Sequence, residues 1–195
     1  MSALIIVGLL AAAAALYAAL VFNRLVALKN HIRDARSNID TELKRRYDLI
    51  PNLVATVRGY AAHERDVLER VTALRARCAA GTGTPRQQTA NEVDLVAALQ
   101  RLMAVVERYP TLKADAHFLD LQRELIVTED RIQAARRFYN GNVRDYRNLR
   151  ERFPSNAAAW LFGFPSEPFF DLPPAVREVP DAGMADRKAE KTNRG

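Results

Sequence analysis

Apolar positions along the chain fall into three regimes: one unbroken run, then several stripes at helical spacing, then a short aromatic and proline-rich stretch. Residues 2–22 carry no charge before Arg24. As a helix they are about 30 Å long, the thickness of a hydrocarbon core, which predicts a membrane-spanning segment. From Leu25 onward the spacing changes. Leu25, Leu28, Ile32, Ala35, Ile39 and Leu43 step by three and four, and the row continues through Tyr47, Ile50, Val54, Val57 and Ala61 to Glu64, Leu68, Val71 and Arg75. This is the stripe of an amphipathic helix turned towards a core. Pro51 interrupts it, because proline removes a helix hydrogen bond and crowds the preceding turn. The phase survives Pro51, which favours a kink in one long helix over a break. A break would give four long helices; a kink would give a three-helix assembly with one helix running out of the membrane.

Residues 79–89 read AAGTGTPRQQT and predict a loop. Thr89 and Glu92 have capping-box spacing, so a helix is expected from near Ala90 through Leu95, Leu99, Leu102 and Val106, closed by Tyr109-Pro110. The clearest stripe follows: Phe118, Leu121, Leu125, Thr128, Ile132, Ala135, Tyr139, Asn142, Tyr146, Leu149 and Phe153. Asn140-Gly141-Asn142 has turn-like composition, yet the phase runs through it. Phe153-Pro154 ends that helix. So apolar a stretch as WLFGF after the last long helix must cap the bundle, touch lipid or dock a partner. Beyond Asp171 the composition predicts disorder.

Charge adds orientation. Arg24, Lys29, Arg33 and Arg36 follow the apolar run and nothing comparable precedes it, so the positive-inside rule puts the N-terminus outside and the rest of the chain in the cytoplasm. A cleaved signal peptide is the rival reading, but the run lacks a positive leader and is long for such a segment. The net charge of +6 is compatible with an acidic protein, anionic lipid or nucleic acid.

The search for chemistry returns no catalytic, metal or cofactor residues. His63-Glu64 begins like a zinc-protease helix, but Val67 stands where the second histidine belongs. No Glu-x-x-His pair is present for a di-iron core, and GTGT lacks the lysine of a phosphate loop. His31, His63 and His117 are far apart in sequence, and the lone Cys78 has no intrachain disulfide partner. Two groups remain as candidate partner-binding residues: the cationic Lys44, Arg45 and Arg46, and the aromatic Trp160, Phe162 and Phe164.

Two blocks, NRLVALKNHIRDARSNIDTELKRRYDLIPNLVATVRGYAAHE and YPTLKADAHFLDLQRELIVTEDRIQAARRFYNGNVRDYRNLRERFP followed by GF, resemble the hallmark of the LemA family. The resemblance spans roughly residues 22–164. Arg147 and His117 stand where the family often has asparagine. The resemblance implies a bacterial, membrane-anchored, all-α protein: a transmembrane helix followed by an antiparallel four-helix bundle of long helices. It carries over no activity. The expected organisation is an anchor over residues 1–23, a bundle over 24–164 and a tail over 165–195. The expected function is a non-enzymatic, single-pass module at the cytoplasmic face of the inner membrane that binds an unidentified protein, with no small-molecule ligand. The alternatives are a bundle that binds nucleic acid or anionic lipid, and an enzyme whose site is built across helices.

Overall fold

The computed structural model describes residues 1–170, the side chain of Pro85 aside; the region beyond Asp171 read above as disordered lies outside the described residues. The described residues form helices and connections, with no strand. Helix α1, Ser2–Tyr60, is one uninterrupted rod of about 88 Å at the usual rise per residue. Its first twenty residues stand clear of the protein, with nearly every side chain exposed. From Val21 onward its stripe is buried. Helix α2, Arg65–Ala80, turns back along α1. Helix α3, Pro85–Val106, descends beside α2; the short α4, Pro110–Lys113, crosses to α5, Ala116–Glu151, which climbs back along α1. Helix α6, Ser155–Leu161, follows the cis Phe153–Pro154 bond and packs between α1 and α5.

The four long helices therefore alternate in direction. Their pairings show it: Tyr60 at the end of α1 donates to Asp115 at the start of α5 at 2.9 Å, and Arg108 after α3 meets Glu64 before α2 at 2.7 Å. Two cores fill the bundle. The one far from the anchor joins Ile50, Leu53 and Val57 to Leu68, Leu74, Leu95, Leu102, Leu112 and Phe118. The one near the anchor joins Leu25, Leu28, Ile32 and Ile39 to Tyr139, Val143, Tyr146, Ala158 and Ala159.

Two boundaries differ from the sequence expectation. Helix α1 passes Pro51 unbroken and ends at Tyr60; the chain reverses over residues 61–64. The apolar row kept its phase there because the reversal is about one helical turn long. It contains no proline, and Glu64 at the start of α2 makes no side-chain cap. Four long helices thus form although Pro51 is not the break. Helix α3 begins at Pro85, not near Ala90: Thr84 accepts from the Gln87 amide at 3.3 Å, and Gln87 Oε1 accepts from the Thr84 amide at 2.8 Å. That is the same capping box five residues earlier, with proline in the first turn where its missing N–H costs nothing.

The structure shows how α1 tolerates Pro51. A proline leaves the carbonyl four residues back without its helical donor. That carbonyl belongs to Tyr47, and Arg75 Nε of α2 donates to it at 2.9 Å. The proline is thus converted from a defect into a tie between two helices. Gly141, by contrast, sits mid-helix in α5 with open space where a side chain would go.

Replacing Arg75 with leucine should destabilise the bundle by about 1 kcal/mol, and by less than half of that in a Pro51→Ala background, where the new amide serves Tyr47. Equal losses in both backgrounds, by urea unfolding, would contradict the pairing. Gly141→Ala should raise stability by about 1 kcal/mol in the same assay; a loss would mean that the position needs glycine.

Candidate functional site

Two places carry unusual chemistry: a buried polar layer between the two cores, and an aromatic end where α1 leaves the bundle.

The polar layer is centred on Arg46. It stands between Leu43 and Ile50 on the inward stripe of α1, and its side chain is 3% exposed. It donates from Nη1 to Glu129 of α5 at 2.9 Å and from Nη2 to Glu92 of α3. Tyr47 Oη donates to the other oxygen of Glu92. Cys78 of α2 lies half-buried in the same environment. Burial, then the charge of Glu92 beside it, pushes the Cys78 thiol up to about 12. Burial and the hydrogen bond to Glu92 also raise the Tyr47 phenol well above its ordinary value. All four long helices contribute to this layer, α1 with both Arg46 and Tyr47. Thr128, also buried there, returns its hydroxyl to the Glu124 carbonyl at 2.8 Å.

This placement divides the cationic triplet singled out in the sequence. Lys44 and Arg45 face solvent. Arg46 is turned inward and engaged by two carboxylates, so it offers no surface to a partner. The signal was available: Ile39, Leu43, Arg46 and Ile50 are spaced by four, three and four, which places Arg46 on the core face. Its partners were harder to see. Glu92 fits a capping box by spacing alone, and Glu129 is one acid among the mixed charges of α5.

The aromatic end is built differently. Helix α6 turns Ser155, Ala158 and Ala159 inward and leaves Trp160 84% exposed. Phe162 is exposed and Phe164 half-buried, and both pack edge-on against Phe22 of α1, at 4.9 and 5.6 Å between ring centroids. An open, largely apolar cleft lies between Arg150, Phe153, Asn156, Trp160 and Phe164. Residues 165–170, assigned to the tail by the sequence, lie as a strap along α5. Tyr146 Oη donates to the Pro165 carbonyl at 2.6 Å, and Tyr139 Oη to the Pro168 carbonyl at 3.0 Å. Asn140 clamps Phe170 from both sides, donating to its carbonyl at 3.2 Å and accepting from its amide at 2.8 Å. The turn-like Asn140-Gly141-Asn142 thus holds a helix whose first asparagine serves the strap.

Chemically, the two acids of the layer are engaged by Arg46, Tyr47 and Gln133, while Arg46 Nε is buried without a hydrogen-bond partner among the described residues. Removing the layer's cation leaves two acids facing each other in a largely buried site. Arg46→Met should lower unfolding stability by about 3–5 kcal/mol, and adding Glu92→Gln and Glu129→Gln should recover much of that loss. A single variant within about 0.5 kcal/mol of the parent would contradict the assignment. The layer should also respond to alkali. Cys78 and Tyr47 hold their protons more tightly folded than unfolded; the Cys78 contribution is complete below the ordinary thiol value of 9.0 and is lost as pH rises towards 12, while that of Tyr47 begins to fall only above its ordinary 10.0. Cys78→Ser should make the fall in stability over that window shallower; an unchanged slope would mean that the thiol takes no part.

Comparison with known proteins agrees with this architecture. The LemA family model matches residues 35–182. Magnetosome protein MamQ 2 of Paramagnetospirillum magneticum is 27% identical over 179 residues, covering 79% of this chain and 66% of that protein. Magnetosome protein MamQ of Magnetospirillum gryphiswaldense is 25% identical with the same coverage. Protein LemA of Metamycoplasma hominis is 26% identical over 141 residues, covering 70% of this chain and 63% of that protein. The chain thus spans about two thirds of the length of these relatives. With its long apolar first helix and its helical bundle, the chain is a membrane-associated helical protein and belongs to the LemA family.

Proposed function

We propose that this protein is a non-enzymatic, single-pass scaffold that presents its bundle to a protein partner at the cytoplasmic face of the bacterial inner membrane. The observation that carries the reading is α1 itself. One helix is lipid-compatible over its first third and bundle core over the rest, so the bundle is held at a fixed distance from the membrane. Arg24, Arg33 and Arg36 are exposed on the bundle side of the apolar run, which supports a cytoplasmic bundle. Further out, Lys44 and Arg45 form an exposed cationic pair some 30 Å beyond the span, too far for strong attraction to lipid charge. They suit an acidic surface on a partner protein. The aromatic group is better explained by its place beside the anchor, as argued below. Both carboxylates of the polar layer are engaged by Arg46, one of them by Tyr47 as well, which supports a structural role for them.

Two measurements test the reading. With Cys78→Ser and Ala62→Cys, an impermeant maleimide should label the protein only after lysis; labelling of intact cells with a permeable outer layer would place the bundle outside. A photo-crosslinking residue at position 44 should give a discrete protein adduct that Arg45→Glu weakens. No adduct at that position would remove Lys44 and Arg45 from the binding surface.

A further inference from the structure

We propose that the α6 region is a membrane foot: Phe153, Trp160, Leu161 and Phe162 insert into the headgroup–acyl boundary of the leaflet from which α1 emerges. The occupant of this exposed apolar surface is lipid. Four observations converge on it.

The first is depth. The uncharged run of α1 ends at Phe22, where the hydrocarbon core gives way to headgroups. Phe22 touches Phe162 and Phe164, and Val21 and Leu25 share one apolar cluster with Ala158 and Ala159. Helix α6 is therefore fixed at the level of the interface by its own packing.

The second is the side it leaves open. Small residues pack inward, while Phe153 is 82% and Leu161 67% exposed, beside the exposed Trp160. Residues of this size gain nothing from water. Leu16 and Leu20, six and two residues before Phe22 on α1, are exposed as well, so the foot adjoins the exposed apolar surface of that segment.

The third is composition. No charge occurs between Arg152 and Glu167. Trp160, an amphipathic ring with a single N–H donor, is the residue type that gathers at membrane interfaces. The fourth is the surrounding charge. Arg24 on α1 and Arg144 and Arg152 around the end of α5 are exposed, and Arg150 lines the cleft beside Trp160. Exposed guanidinium groups on the two helices that adjoin an apolar tip suit phosphate headgroups over acyl chains.

The foot has a mechanical consequence. A single spanning helix can tilt and roll about its own axis; a second contact beside it limits both and so sets the inclination of the bundle to the membrane plane. The strap over α5 begins directly after the foot, so seating the foot also positions the strap.

The inference rests on α1 spanning the bilayer, which co-flotation of the full chain with vesicles checks separately. Trp160 is the chain's only tryptophan, so its emission reports the foot without labelling. The full chain is reconstituted in vesicles of zwitterionic and anionic phospholipid. The expected result is blue-shifted emission, quenched more by lipid brominated near the headgroup than near the chain end, and barely by iodide. Leu161→Glu should shift the emission red and restore iodide quenching while flotation and helical circular dichroism stay unchanged. Water-like emission open to iodide in the parent protein would overturn the proposal. Shielding from both iodide and bromolipid would overturn it too, because a second protein copy would then cover the surface. Persistent bromolipid quenching in Leu161→Glu would likewise count against insertion by this face.

Discussion

One arginine shared by two carboxylates ties three helices, α1, α3 and α5, together at a single level of the bundle. Arg46 reaches Glu92 on α3 and Glu129 on α5, while its neighbour Tyr47 adds a second bond to Glu92. A buried ion pair is a poor source of net stability, since desolvating the charges offsets most of their attraction. Its effect here is selective. Sliding any one of the three helices by a turn would strand a charge in a largely apolar interior, whereas the leucines and valines above and below could repack. The apolar cores drive assembly, and the polar layer between them specifies which assembly.

The same layer explains the neighbouring proline. Pro51 frees the Tyr47 carbonyl, and Arg75 of α2 takes it. Helix α2 is thereby tied to α1 at Tyr47, the residue next to Arg46, which ties α3 and α5 to it. Further ties lie at the ends: Tyr60 with Asp115 at the end far from the apolar segment, and the Tyr139, Asn140 and Tyr146 clamp on the strap at the other. Asp115 also caps α5 through the Phe118 amide at 2.8 Å, and that bond together with Tyr60 holds its carboxyl below the usual range. A helix start and a helix end are thus fixed by one side chain.

How far this was legible in the sequence follows from the physics of each element. Period-3.6 burial exposed α1 and α5 almost whole, because long stripes leave little freedom in phase. Residues 61–64 escaped notice, because the reversal uses neither glycine, proline nor a capping side chain and keeps the apolar count. The capping box of α3 was misplaced by five residues because two threonines share the spacing and only the fold chooses between them. In the candidate site, the triplet at 44–46 was recognised as a unit of charge, but a helix turns each successive residue by 100° and sends the third inward. Arg75 stands on the apolar row and Glu92 at capping-box spacing, yet neither these nor Glu129 names its partner locally: what they bind depends on which helix lies opposite. The aromatic stretch was legible as apolar surface in need of cover, and its neighbour Phe22 became visible only once α6 was placed against α1.

Helix α1 is both a long apolar N-terminal segment and the central strut of the bundle, and on the proposed reading its continuity across the membrane exit is what the rest depends on. The direct measurement is the distance between spin labels at Ala13→Cys and Asp34→Cys, with Cys78→Ser, in the full chain reconstituted in vesicles. A continuous helix places the two backbone positions about 32 Å apart, with one narrow distribution. A broad or markedly shorter distribution would mean that the chain bends between residues 13 and 34, and that the bundle hangs from a flexible tether.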